Sequence, residues 1–229
     1  MDIDIYSDVV CPWCYIGKRR LETALASFDG DVTVRYRPFQ LDPSTPKEPH
    51  PLIDWLGPKF GGAGRVQQMT DQTTSVAAAD GIEMHFDRAI ISNTFEAHRL
   101  IWFAGDEAGP TVAEALHKAH FTDGLDIGSH DVLTSVAADA GLDTARVRAF
   151  LASSDGVDEV QGLINDAYQL GITSVPTFVF AGKYAVSGAQ DPKLLLQTLQ
   201  EVARREAAPS PLQTIGADGP ACDDEACAV

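Results

Sequence analysis

Ile3-Asp4-Ile5-Tyr6 alternates apolar and polar positions and runs into Val9-Val10, the period of a half-buried strand, so residues 2 to 8 are expected as the first strand. Leu21, Leu25 and Phe28 then recur at helical spacing and predict a helix from about 14 to 28. Gly30-Asp31 breaks it before a second strand over Val32-Thr33-Val34-Arg35-Tyr36. So short a strand-helix-strand unit implies a right-handed crossover and parallel pairing. The proline-dense segment from Pro43 to Pro51 cannot be helix or central strand and marks a boundary.

From about Leu52 to Ser154 the strand signal disappears. Helix-compatible patterns cover 66 to 79, 94 to 107, 111 to 120, 132 to 140 and 144 to 152, parted by glycine-bearing breaks at Gly81, Gly109, Gly124 and Gly141. Ser129 and Asp143 are candidate N-caps. A further helix, about Val157 to Leu170, ends at Gly171, a C-cap residue. Ile172 to Ala181 then reads as an approach loop and a strand opened by Pro176, Gly182-Lys183 as a turn, and Tyr184 to Ser187 as a hairpin partner. The last helix, Lys193 to Arg205, puts Leu195, Leu199 and Val202 on one face.

The expected class is therefore α/β, with residues 1–42 and 154–206 forming one discontinuous unit and 43–153 a helical insertion. Residues 207–229 are a tail rich in proline, glycine and alanine, a composition that suits an unstructured segment.

With 229 residues and 45% hydrophobic content the chain can bury a proper core. A formal charge of −16 argues against nucleic acid or an anionic membrane as partner. No apolar run approaches the roughly 20 residues of a membrane span. The opening Met1-Asp2-Ile3-Asp4 has neither a basic segment nor an apolar stretch before a small-residue site, so a cytoplasmic protein without a signal peptide is expected. A disulfide there would be transient, catalytic or sensing.

Chemistry concentrates at Cys11-Pro12-Trp13-Cys14, where the first strand hands over to the first helix. Unpaired first-turn amides and the positive dipole end favour a thiolate on Cys11, and Pro12 is tolerated because its missing N–H is not needed there. The pair can be a dithiol, half a zinc site or two buried cysteines. Zinc wants a second pair at matching spacing, whereas the other two cysteines, Cys222 and Cys227, lie more than 200 residues away, so no metal is expected. His117 and His120, three apart on a helix, lack an evident further ligand. In the dithiol reading Cys11 is the exposed nucleophile, Cys14 resolves the mixed disulfide, and Trp13 offers an aromatic platform to substrate. Acidic residues between Cys222 and Cys227 disfavour their thiolates, which suits a slow secondary redox pair.

Strand, Cys-Pro-Trp-Cys, helix, strand, long helical insertion, then Val175-Pro176-Thr177 before a hairpin and a terminal helix resembles the DsbA family within the thioredoxin fold. The resemblance covers about residues 2 to 205. Tyr6-Ser7-Asp8, Ser92-Asn93-Thr94, Ala97-His98-Arg99 and Ser187-Gly188-Ala189-Gln190 narrow it to the FrnE-type branch, related to 2-hydroxychromene-2-carboxylate isomerase and kappa-class glutathione transferase. It implies a cis Val175-Pro176 peptide facing the cysteines, and a pocket wall carrying Asn93 and His98. Pro12, Trp13, Asn93, His98, Val175, Pro176 and Thr177 are accordingly the expected substrate contacts. The isomerase and transferase relatives generally carry serine where Cys11 stands, so the resemblance implies a thiol:disulfide oxidoreductase acting on protein or small-molecule disulfides, with no cofactor beyond its own redox pair. Glutathione binding at the helix tip stays open, as do an isomerase or transferase acting on an aromatic compound and a chaperone-like binder of unfolded chains.

Overall fold

The computed structural model describes residues 1–207. β1 (Asp2–Ser7) is followed by α1 (Pro12–Leu25) and β2 (Thr33–Pro38), and the two strands pair in parallel from Asp2 opposite Thr33 to Ser7 opposite Pro38. The chain then leaves the sheet. β3 (His50–Pro51), α2 (Leu52–Phe60), α3 (Ala63–Ala79), β4 (Ile90–Ile91), α4 (Phe95–Phe121), α5 (His130–Asp139) and α6 (Thr144–Leu151) intervene before α7 (Val157–Gln169). β5 (Thr177–Phe180), β6 (Tyr184–Ser187) and α8 (Pro192–Ala207) complete the described chain. The main sheet has the order β2-β1-β5-β6, with β5 antiparallel to both β1 and β6.

Alternation along β1 sends Ile3 and Ile5 to one face, where they meet Phe178 and Phe180, Leu21 and Ala24 of α1, and Leu195, Leu199 and Val202 of α8. Tyr6 faces the other way, onto Phe39, Ala167 of α7 and Ile172. Two further cores grip the start of α1. Val9 is buried in the cluster of α4, α5 and α6 with Leu100, Leu116 and Leu133, while Tyr15 and Ile16 join Leu52, Ala77, Met84, Phe86 and Phe121. Full burial of Ile16 alone is worth about 1.5–3 kcal/mol. The tetrapeptide is thus clamped between the sheet and the insertion.

The structure departs from the sequence expectations in three places. α2 was not expected, because its nine residues hold Gly57 and Pro58 and end on the left-handed Gly61. The proline-dense connector contributes β3, whose two residues pair antiparallel with β4 and are too short to show a period. The helices expected over 94 to 107 and 111 to 120 are one run whose break falls at Gly105 (φ 69°, ψ −175°), not at Gly109. Such a conformation is open essentially to glycine. The two cap residues differ: the Asp143 carboxylate accepts from the amides of Ala145 and Arg146, whereas Ser129 stands at the N-cap position without a side-chain bond.

Candidate active site

Cys11 is the N-cap of α1, in extended conformation, with Pro12 as the first helical residue. Its amide donates to the Asp8 carbonyl at 3.0 Å, and its own carbonyl accepts from Cys14 and Tyr15 at 3.0 and 3.4 Å. The preceding loop is fixed from outside as well. The Asp8 carboxylate, buried, accepts the Leu41 amide at 2.8 Å, and the Val9 carbonyl lies 3.1 Å from Nδ1 of His117. His117 stacks on Tyr15 with ring centres 5.1 Å apart.

The Val175–Pro176 peptide is cis, and the Cys11 thiol points at the Val175 carbonyl over 3.8 Å. Only glycine at position 17 lets α1 come this close to that loop: a Cβ there would sit 2.9 Å from Pro176 Cγ and 3.2 Å from Phe178 Cζ. The loop is held from behind, where the Pro176 carbonyl accepts from Gly188 at 2.7 Å. Thr177 is buried, and its hydroxyl is spent on the Ser174 carbonyl and the Ser187 hydroxyl, so it secures the loop.

Both cysteines are free thiols. Cys11, expected as exposed, is only 5% accessible, because the Val175 loop lies over its sulfur; Cys14 is 2% accessible beneath it. Burial, then the neighbouring Cys11, pushes the Cys14 thiol well above its ordinary range, and the polar groups of Ser7 and Asp8 nearby oppose the rise only in part. Trp13 projects outward, 41% exposed. Beside it runs a groove of about 140 Å³ lined by Val10, Leu56, Phe60, Val66, Met69 and Phe86, with no charged side chain in its wall.

Cys11, Cys14, Pro12, Trp13, Val175 and Pro176 therefore meet at one point, and two of the expected contacts lie elsewhere. Asn93 is a strut: its amide donates to the carbonyls of Pro43 and Thr45 at 3.2 and 2.9 Å and accepts from Gln40 and from the Phe95 amide. His98 is buried behind the loop, its Nε2 3.3 Å from the Asp8 carboxylate, and it faces a cavity of about 680 Å³ between β2, α4 and α7 rather than the apolar groove. Cys222 and Cys227 lie outside the described residues. His117 and His120 are buried, which pushes their pKa values down to about 3 and about 4 and leaves both rings neutral. Among the described residues no group of three or more His, Cys, Asp or Glu side chains could hold a metal ion. No described helix is long and apolar enough to cross a membrane.

One position goes unassigned from sequence, Gly17, on which the approach of α1 to the Pro176 loop depends. Its only signal is a glycine placed inside a helix, where it is disfavoured unless something needs the space.

Known proteins share this fold. Residues 2–200 match the model of the DsbA-like thioredoxin domain family. The uncharacterized protein YwbO of Bacillus subtilis is 30% identical over 193 residues, which span 82% of this chain and 90% of that one. The crystal structure of a probable DsbA oxidoreductase from Streptomyces coelicolor superposes with a TM-score of 0.86 at 36% identity, covering 100% of this chain and 99% of the other. The cytosolic disulfide reductase DsbM of Pseudomonas aeruginosa, solved with GSH, shares the fold at 21% identity and a TM-score of 0.61, over 89% of this chain and 100% of its own. A Cys-Pro-Trp-Cys helix start set against a cis-proline loop, on a four-stranded sheet interrupted by a helical insertion, is thus found in a chain that belongs to the DsbA-like thioredoxin domain family.

Proposed function

We propose that this protein is a thiol:disulfide oxidoreductase that exchanges disulfides through Cys11 and Cys14. The thiolate of Cys11 attacks one sulfur of a substrate disulfide and the other sulfur leaves as a thiolate, giving a mixed disulfide. Cys14, deprotonated, then attacks Cys11 Sγ; the Cys11–Cys14 disulfide forms, the bond to substrate breaks, and the second substrate thiolate departs. Run backwards, the same steps oxidise a dithiol. The observation that carries this reading is the meeting of Cys11 with the Val175 carbonyl at the head of α1, with Cys14 one turn behind.

A carbonyl edge beside the reacting sulfur suits an extended substrate segment held by main-chain hydrogen bonds. The uncharged groove next to Trp13 favours a polypeptide with a large apolar side chain near its disulfide. Glutathione would bring two carboxylates and an ammonium group to that wall, at a desolvation cost. A cytoplasmic setting, where thiols are kept reduced, is part of the proposal. Reduction of insulin disulfides measures the activity. Cys11→Ser is expected to abolish it, and full activity in that variant would refute the assignment.

A further inference from the structure

The cavity of about 680 Å³ is built by two helical stripes set over the ends of β1 and β2. α4 brings His98, Ile101 and Trp102, and α7 brings Glu159, Gly162, Leu163 and Asp166, each set at the three- and four-residue spacing of one helix face. The volume falls within the roughly 300–1,000 Å³ usual for small-molecule sites. Neither Cys11 nor Cys14 lines its wall, and the apolar groove beside Trp13 is a separate recess.

Packing does not require Gly162 in this wall. A Cβ there would meet nothing within 4 Å, although glycine is disfavoured inside a helix. Trp102 is held in place by its stack on Phe150, ring centres 6.1 Å apart, and stays 39% exposed. Ile101 and Leu163 extend that apolar surface. His98, 3% accessible, lines the wall as well. Its Nε2 meets Asp8 at 3.3 Å, while its Nδ1 has no hydrogen-bond partner among the described residues.

The charges in the wall do not cancel. Arg37 is matched by Asp4 at 2.7 Å, and Asp106 by Arg35 at 2.8 Å. Glu159 and Asp166, both exposed and two turns apart on α7, have no ion-pair partner among the described residues. An entering anion would meet two uncompensated carboxylates, whereas a cation would neutralise them. We propose that this cavity binds a small organic cation, an ammonium group carried on a flat apolar body. Glu159 and Asp166 hold the ammonium group, the body lies against Trp102, Ile101 and Leu163, and His98 Nδ1 offers a hydrogen bond to a polar atom on it. Such binding is independent of disulfide exchange.

Titration calorimetry of the full chain with three indoles that differ in charge tests this: tryptamine as the cation, tryptophol as the neutral probe and indole-3-propionate as the anion. Tryptamine is expected to bind saturably, at least about tenfold more tightly than indole-3-propionate, and to weaken as salt rises. Glu159→Gln combined with Asp166→Asn should weaken tryptamine about tenfold, the joint effect of two screened ion pairs, and remove its advantage over tryptophol. Gly162→Phe keeps every charge but puts a ring into the cavity, so it should abolish binding. That variant separates the site from the general attraction of a cation to a chain of net charge −16. Equal affinity for the three indoles, no saturable binding of tryptamine at millimolar concentration, or unchanged binding in either variant would overturn the assignment. If Gly162→Phe does not fold, Trp102→Ala takes its place: the loss of the ring should weaken tryptamine, and an unchanged affinity would overturn the site.

Discussion

Gly17 offers a direct test of the approach between α1 and the Pro176 loop. Adding one methyl there places a carbon 2.9 Å from Pro176 Cγ and 3.2 Å from Phe178 Cζ, and neither neighbour can swing aside, because the first belongs to a ring tied into the loop and the second is fully buried. Overpacking of this kind costs about 1–3 kcal/mol. Against it stands a gain of about 1 kcal/mol for replacing glycine by alanine inside a helix. Gly17→Ala should therefore be neutral to about 2 kcal/mol less stable than the parent. Gly162→Ala is the internal control, since its Cβ meets nothing within 4 Å and only the propensity gain of about 1 kcal/mol remains. The two variants should differ by about 1–3 kcal/mol, or roughly 2–12 °C in Tm for a chain of this size. Urea titration of both at equal m-value measures the difference. Equal stabilisation by the two substitutions would refute the close approach, and with it the placing of the Val175 carbonyl over Cys11. Insulin reduction by Gly17→Ala should also fall, because the loop moves away from the sulfur it faces.

Other expectations follow from single contacts. Asp143→Ala removes the cap on the Ala145 and Arg146 amides and should cost about 1 kcal/mol with activity unchanged. Asn93→Ala leaves the Pro43 and Thr45 carbonyls without their donor and should cost about 1–3 kcal/mol, again without a specific loss of exchange rate in the folded fraction. His117 and His120 have folded pKa values below the unfolded value, so the unfolded chain binds their protons first and stability falls as pH drops below about 6.5. Between pH 6.5 and 5, above the titration of most carboxylates, each should contribute about 1–2 kcal/mol of that loss. Chemical denaturation at both pH values should show a shallower dependence in His120→Phe than in the parent.

How far the molecule could be read from its sequence depends on the range of the interactions involved. Ile3 and Ile5 against Asp4 and Tyr6, or Leu195, Leu199 and Val202 on one helix face, are local periods, and the strands and helices they predict stand where expected. The break in α4 was misplaced because Gly105 and Gly109 are equal candidates on paper; only the folded backbone puts the left-handed φ on the first. The cysteines were legible from spacing, but the burial of Cys11 was not, since it is covered by Val175, 164 residues away. Asn93 and His98 are read as a pocket wall on resemblance; His98, beside Asp8 90 residues away, does line the cavity behind the loop, whereas Asn93 is tied to Thr45, 48 residues away, as a strut.

The division of labour between the two cysteines is best tested by trapping. Cys14→Ala, incubated with a disulfide-bonded polypeptide and quenched with an alkylating agent, should yield a stable mixed disulfide that peptide mass mapping places on Cys11, and Cys11→Ser should yield none. Adducts on Cys14 in the Cys11→Ser variant, formed as fast as those on Cys11 in its counterpart, would contradict the account.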